Sequence, residues 1–321
     1  MEGRDPIDAR LLDEFQRDLP LVERPFQAMA ATLGIPEAEV IDRLARLSAD
    51  GAVARVGATV RPNTAGASTL AALAVPEGRI EKVAAIVNDE AGVNHSYLRE
   101  DHWNIWFVAT APDATALDES LARIATRTGL RVLDLRLVRA FNIDLGFRLN
   151  GTRRPMVPDS GARALDLTGD DRALLARLSR GLPLTPRPFA ALGLAETDAL
   201  ARIATLLQAR VITRLGVIVR HRPLGWTANA MVVWDIAPDR IPAAGTALSA
   251  LPGVTLCYQR ETVPGVWPYA LYSMIHGRSR AEALAVLDRA RALPELAGAT
   301  AKPLFSTRCF KQTGALISAA A

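Results

Sequence analysis

The feature that most constrains this chain is that it says nearly the same thing twice. Residues 7–149 lie over residues 167–316 with only small slips in register. Arg55-Val56-Gly57-Ala58-Thr59-Val60-Arg61-Pro62 answers to Arg214-Leu215-Gly216-Val217-Ile218-Val219-Arg220-His221. Gly92-Val93-Asn94-His95-Ser96-Tyr97-Leu98-Arg99-Glu100 answers to Gly253-Val254-Thr255-Leu256-Cys257-Tyr258-Gln259-Arg260-Glu261, and Arg139-Ala140-Phe141 to Arg308-Cys309-Phe310. A repeat of roughly 150 residues is domain-sized rather than solenoid-sized, so the chain reads as two homologous modules fused into a pseudo-dimer. Fusion lets the halves diverge, and the positions where they differ point toward the site.

Within each half the hydrophobic period changes part-way along. The first half opens with three helical patterns. Ile7, Leu11, Leu12 and Phe15 share a face, Pro25 to Gly34 ends on a glycine, and a third helix starts at Pro36 and runs to Asp50-Gly51. A segment from Val53 to Val60, expected to be two-stranded, completes a winged helix-turn-helix. The pattern then becomes strand 69–75, helix 79–88, strands 95–99 and 103–110, helix 114–128 and strand 132–141, the β-α-β-β-α-β order of a ferredoxin-like module. The second half repeats both units. The predicted class is therefore α+β: a winged helix-turn-helix over 1–62, a ferredoxin-like module over 63–149, a Pro/Gly-containing linker over 150–166, a second winged helix-turn-helix over 167–222 and a second ferredoxin-like module over 223–321.

Composition narrows the function classes. Half of the 321 residues are apolar, enough for sizeable cores, and no apolar run approaches the ~20 residues that span a bilayer. No signal-peptide core follows Met1, so a cytoplasmic protein is expected. The net charge of +4 comes from scattered arginines rather than a basic tail, which suits an anionic small ligand as well as a nucleic acid. Cys257 and Cys309 have no metal-type spacing, and both read as small apolar residues. No phosphate-binding glycine loop, nucleophile elbow or metal-ligand motif is present.

A helix-turn-helix followed by this α/β module resembles the Lrp/AsnC group of bacterial regulators, whose second module binds small ligands. More specific are His95-Ser96-Tyr97-x-Arg99 leading into Asn104-Ile105-Trp106-Phe107, which resembles the first subunit of siroheme decarboxylases. The run from Val219-Arg220-His221-Arg222 through Asn229-Ala230-Met231 to Trp234, with Leu256-Cys257-Tyr258-x-Arg260 and Met274-Ile275-His276-Gly277, resembles the second subunit. That resemblance covers nearly the whole chain in a fused arrangement. It implies removal of CO2 from the ring C and D acetate groups of siroheme to give didecarboxysiroheme, in heme d1 or alternative heme biosynthesis. Siroheme brings its own iron, so no separate cofactor and no protein metal site is expected. Siroheme is the expected partner, with no specific nucleic acid and no membrane; a homodimer and contacts with neighbouring tetrapyrrole-pathway enzymes stay open. A transcription regulator of the Lrp/AsnC type and a noncatalytic heme-binding module are the alternatives. Against regulation, one candidate recognition helix sets Glu37, Glu39 and Asp42 against Arg43 and Arg46, and the other sets Glu196 and Asp198 against Arg202. Acidic charge there opposes phosphate contact.

The chemistry implied by the resemblance needs cations for carboxylates, an apolar slot and a proton source. Arginine forks suit carboxylates, and Arg99, Arg260, Arg139 and Arg308 recur at matched positions, with Arg220 and Arg222 flanking His221. Tyr97, Tyr258 and Trp106 are the further substrate-binding candidates, and Trp103, Trp226, Trp234 and Trp267 are other possible walls of the slot. The carbon left by CO2 needs a proton, and histidine is the side chain suited to deliver it near neutral pH. The chain has four: His95, His221, His102 and His276. His95 ranks first and His221 second, because the matched positions hold Leu256 and Pro62. Strand alternation places 95, 97 and 99 on one sheet face.

Overall fold

The computed structural model describes residues 5–142 and 165–315. Residues 143–149 and 316–321, and all but the last two positions of the expected linker, lie outside the described residues. In the first half, α1 (Pro6–Glu14) begins where the Asp5 carboxylate accepts from the backbone N–H of Ile7 at 2.8 Å, with Pro6 in the first turn. It is followed by α2 (Pro25–Leu33), α3 (Glu37–Ala49) and β1 (Val53–Val60). Then come β2 (Ala67–Leu73), α4 (Ile80–Asp89), β3 (Val93–Arg99), β4 (Ile105–Ala111), α5 (Ala114–Thr128) and β5 (Val132–Asn142). The second half runs α6 (Gly169–Arg180), a 3₁₀ turn over Pro188–Leu192, α7 (Glu196–Gln208), β6 (Ile212–Val219), β7 (Ala228–Asp235), α8 (Ile241–Ala250), β8 (Val254–Arg260), β9 (Leu271–Gly277), α9 (Arg280–Arg291) and β10 (Thr300–Gln312).

The segment expected to be a two-stranded wing is a single strand in each half. Its partner is the matching strand of the other half: β1 and β6 pair antiparallel, with Val56 opposite Val217 and Gly57 opposite Gly216. A hairpin would need a turn inside Val53–Val60, and Val-Ala-Arg-Val-Gly-Ala-Thr-Val holds no turn dipeptide. Gly57 and Gly216 are glycines because other chain passes directly over them. A Cβ on Gly57 would strike the Leu178 carbonyl, and one on Gly216 the backbone of Phe15 and Gln16. The chain crossing there is hydrogen-bonded to the ribbon, Leu182 N–H to Val56 O and Val217 N–H to Phe15 O, both at 2.7 Å. One apolar core therefore serves both helix-turn-helix units, from Leu11, Phe26 and Leu44 to Leu175, Phe189 and Ile203.

The two ferredoxin-like modules close on each other. Their strands form one barrel in the order β10-β3-β4-β2-β5-β8-β9-β7. Module one contributes β3-β4-β2-β5 and module two β8-β9-β7-β10, so the seams are β5 on β8 and β10 on β3, both antiparallel. Closure leaves the barrel without an edge strand. Helices α4 and α5 cover the outer face of one sheet around Val83, Leu117 and Ile124, and α8 and α9 cover the other around Ile241, Leu248 and Leu287. Inside the barrel, Trp106, Leu133, Leu135, Val233, Trp267, Tyr272 and Leu304 form a separate cluster, in which the Trp267 indole donates to the Tyr272 hydroxyl at 2.7 Å. The rest of the interior, toward the β1–β6 ribbon, is hollow.

Candidate active site

The hollow is a cavity of about 400 Å³ between the barrel interior and the ribbon. This is within the size range of small-molecule sites. From β3 it receives His95, Tyr97 and Arg99, the three side chains that alternation puts on one face; from β8 it receives Leu256, Tyr258 and Arg260. Trp106 walls it from β4, and His221, Arg222 and Trp226 close it where the ribbon passes into module two. His276 enters from β9, beside Met274.

Arg99 and Arg260 are held in the same way on opposite sides of the barrel. Arg99 Nη1 donates to Leu304 O at 2.9 Å and its guanidinium lies 5.4 Å from the Tyr97 ring centre. Arg260 Nη1 donates to Leu135 O at 2.9 Å and its guanidinium lies 5.0 Å from the Tyr258 ring centre. Each also keeps a buried Nε–H with no hydrogen-bond acceptor in the structure. Burial lowers Arg99 to about 10 and lowers Arg260 as well; no carboxylate acts on Arg99, and the Asp134 carboxylate offsets only part of the lost hydration at Arg260. Buried cations with so little compensating charge call for an anionic ligand.

The histidines respond to the same environment. His95 lies 2.6 Å through Nδ1 from Asn94 Oδ1, and burial, with the Arg55 charge second, holds it down to about 4. His276 is brought down to about 4 by burial and then by Arg99. His221 falls well below the ordinary value through burial, then His276 and Arg214; its ring centre is 5.2 Å from that of His276. Burial also pushes the Tyr97 phenol upward and the Tyr258 phenol to about 12, so both remain hydrogen-bond donors at neutral pH.

Four of the expected site residues are not brought to the cavity. His102 is exposed in the turn after β3, edge-on to Trp103. Arg139 and Arg308 point outward because register shifts fall between Leu137 and Arg139 and between Ser306 and Arg308, which turns the side chains to the other face. Arg139 is exposed against the Phe141 ring, and Arg308 is exposed, pairs with Glu81 and lies over Phe310. Arg220, at the end of β6, does not line the cavity either. Of the other tryptophans, Trp234 is packed under the module-two helices with its indole on Ser273 Oγ at 3.0 Å, and Trp103 and Trp267 belong to the barrel's interior cluster. Sequence reasoning missed Arg214, Asn229, Thr255 and Cys309. Arg214 is buried and lines the cavity, and its signal was its repeat with Arg55.

These features have counterparts among known proteins. A family model described as an AsnC-like ligand binding domain matches residues 65–142 and 223–311, and one for the siroheme decarboxylase NirDL-like HTH domain matches 8–53 and 171–212. A siroheme decarboxylase NirDL subunit of Paracoccus pantotrophus is 63% identical over 319 residues, 98% of either chain. This chain belongs to the siroheme decarboxylase family. It is therefore an enzyme of the carboxy-lyase class. The siroheme decarboxylase NirD subunit of Pseudomonas aeruginosa is 52% identical over 149 residues, 46% of this chain and 99% of its own, as expected for a fusion of two subunits. A crystal structure of the siroheme decarboxylase NirDL in complex with an iron-uroporphyrin III analogue superposes with a TM-score of 0.66 at 27% identity, covering 96% of this chain and 92% of its own. No helix of the described residues is long and apolar enough to cross a membrane.

Proposed function

We propose that the chain removes CO2 from the ring C and ring D acetate groups of siroheme, giving didecarboxysiroheme for heme d1 or alternative heme biosynthesis. The observation that carries this reading is the pair of matched arginines, Arg99 and Arg260, each buried in the cavity wall with an unanswered Nε–H. Their forks would take carboxylates of the substrate, with Arg222 at the rim. Tyr97 and Tyr258 would donate further hydrogen bonds, and Trp106 would wall the flat macrocycle.

At each acetate the bond from methylene to carboxylate breaks and its electron pair stays on the methylene, where the conjugated ring spreads the charge. A proton then converts the methylene to methyl as CO2 leaves. Histidine supplies that proton, from His95 or His221. Burial keeps both neutral. Bound carboxylates bring negative charge beside the imidazoles and raise their proton affinity, so substrate itself arms the acid. The iron belongs to the substrate, and no step requires another cofactor.

The helix-turn-helix arginines support a scaffold role rather than DNA reading. Arg43 is engaged by Asp5, Asp8 and Glu39, Arg46 by Asp8, and Arg202 by Asp171. Cations committed to internal carboxylates are poor phosphate contacts. The test is anaerobic incubation of the pure protein with siroheme and mass analysis of the product. Loss of two CO2 units is expected; recovery of intact siroheme, bound or free, would overturn the reading.

A further inference from the structure

His276 is held at both ring nitrogens, and the partners determine where its proton sits. Arg99 Nη1 approaches Asn229 Oδ1 at 3.2 Å. A guanidinium only donates, so the Asn229 atom facing it is the carbonyl oxygen, and the amide NH2 is turned toward His276. Asn229 Nδ2 lies 2.8 Å from His276 Nε2, which must accept. The ring proton is then on Nδ1, where it is donated to Thr255 Oγ1 at 2.8 Å, and that hydroxyl donates onward to Met274 O at 3.1 Å. Every donor in this run from Arg99 to the β9 backbone has an acceptor in only one arrangement.

The first half has no equivalent. The sheet registers match Asn229, Thr255 and His276 with Ser68, Asn94 and Thr110. There Asn94 Nδ2 donates to Thr110 Oγ1 at 3.2 Å, its Oδ1 faces His95 Nδ1 at 2.6 Å, and a threonine rather than a histidine stands at the position of His276. The network thus belongs to one of the two pseudo-equivalent ends of the cavity, the end where His221 lies.

We propose that Asn229 is a positioning residue that locks His276 as the neutral Nδ1–H tautomer while bracing Arg99, which leaves His221 to carry the transferable proton of that histidine pair. Protonating His276 at Nε2 would set two donors against each other. Turning the amide to relieve that clash would set its NH2 against Arg99. The charged or titratable groups around His276 reinforce the lock. Arg99 from β3 is cationic, and His221, from the segment after β6, would be cationic if protonated. Asn229 from β7 and Thr255 from β8 carry no charge. The assignment deepens the decarboxylase reading, but its first test needs no substrate.

That test is long-range 1H–15N correlation NMR of the full chain labelled on histidine nitrogen, ligand-free at neutral pH, with His276→Gln identifying the resonance. The expected result is a protonated Nδ1 and an unprotonated Nε2. One hydrogen bond of this kind shifts a tautomer ratio by about fivefold. Asn229→Ala should therefore lower the Nδ1–H to Nε2–H ratio about that much. Asn229→Asp, which accepts from both neighbours, should place a proton on Nε2. An Nε2–H tautomer or an imidazolium in the parent protein would overturn the proposal, as would an unchanged tautomer in the Asn229→Asp variant. Siroheme turnover measured separately keeps the two readings apart: an inert protein with the expected tautomer would refute the decarboxylase assignment alone.

Discussion

Replacing Arg99 by methionine should make the empty protein more stable and the ligand-binding protein worse. Arg99 is only 5% exposed, and burial lowers it to about 10. At about 1.36 kcal/mol per pK unit, holding the charge in the folded state costs about 3 kcal/mol. Below pH 10 the guanidinium is charged in both folded and unfolded chains, so this cost is constant across the neutral range. Methionine keeps much of the side-chain length without the charge. It forfeits the bonds to Leu304 O and Asn229 Oδ1, and the two carbonyls left without that donor cost about 1 kcal/mol each. The net expectation is a gain of about 1 kcal/mol, or a melting point higher by about 2–4 °C. With ligand the sign reverses. Loss of a charge-assisted contact worth about 1.5–3 kcal/mol should weaken binding of an iron uroporphyrin by roughly ten- to a hundredfold. Thermal melts of the ligand-free protein and an absorbance titration with the porphyrin measure both. A variant that melts lower and binds as tightly as the parent would show that Arg99 is a structural clamp and refute the reasoning.

Single alanine substitutions should sort His95, His221 and His102. At whichever of His95 and His221 donates the proton, turnover falls by about a hundred- to ten-thousandfold with tetrapyrrole affinity retained, whereas His102→Ala, exposed and outside the cavity, changes neither. Near-parental turnover in both the His95 and His221 variants would exclude histidine as the acid at those positions. Asp171 is held at about 2, chiefly by Arg202, and it also completes the capping box of α6 with Thr168. A carboxylate lowered in this way stabilises the fold above its unfolded value near pH 4, and the contribution is lost as pH falls through about 2. Arg202 is 32% exposed, and screening trims the contribution to about 1–2 kcal/mol. Asp171→Asn should therefore lower stability by that amount at neutral pH, with the difference from the parent shrinking in acid denaturation at pH 2. A constant gap across that range would show that the ion pair is not its source.

How far the site was legible depended on backbone register. The repeat itself gave two-module architecture, and strand alternation put His95, Tyr97 and Arg99 on one face, where the cavity receives all three. The same alternation carried to Arg139 and Arg308 failed, because bulges beside them reverse the side chains and no residue in the sequence announces a bulge. Asn229 stood in the sequence only as part of the Asn229-Ala230-Met231 run of the second-subunit resemblance, with nothing to mark it as a site residue. Its importance comes from lying opposite His276 on the paired strand and within reach of Arg99 from the other module.

By itself, the sequence determined periodicity and repeat: which segments are helix or strand, and that the chain is a fused pair. These are local properties, set by side-chain spacing and by the residue types available. What only the tertiary structure decided is how the halves meet. β1 pairs with β6 rather than folding back on itself, and β5 and β10 cross to the opposite module to close the barrel. Those pairings depend on backbone hydrogen bonds between segments more than a hundred residues apart, which leave no periodic trace in the sequence. They nonetheless create the cavity, bury Arg99 against module two and Arg260 against module one, and bring His276 beside His221.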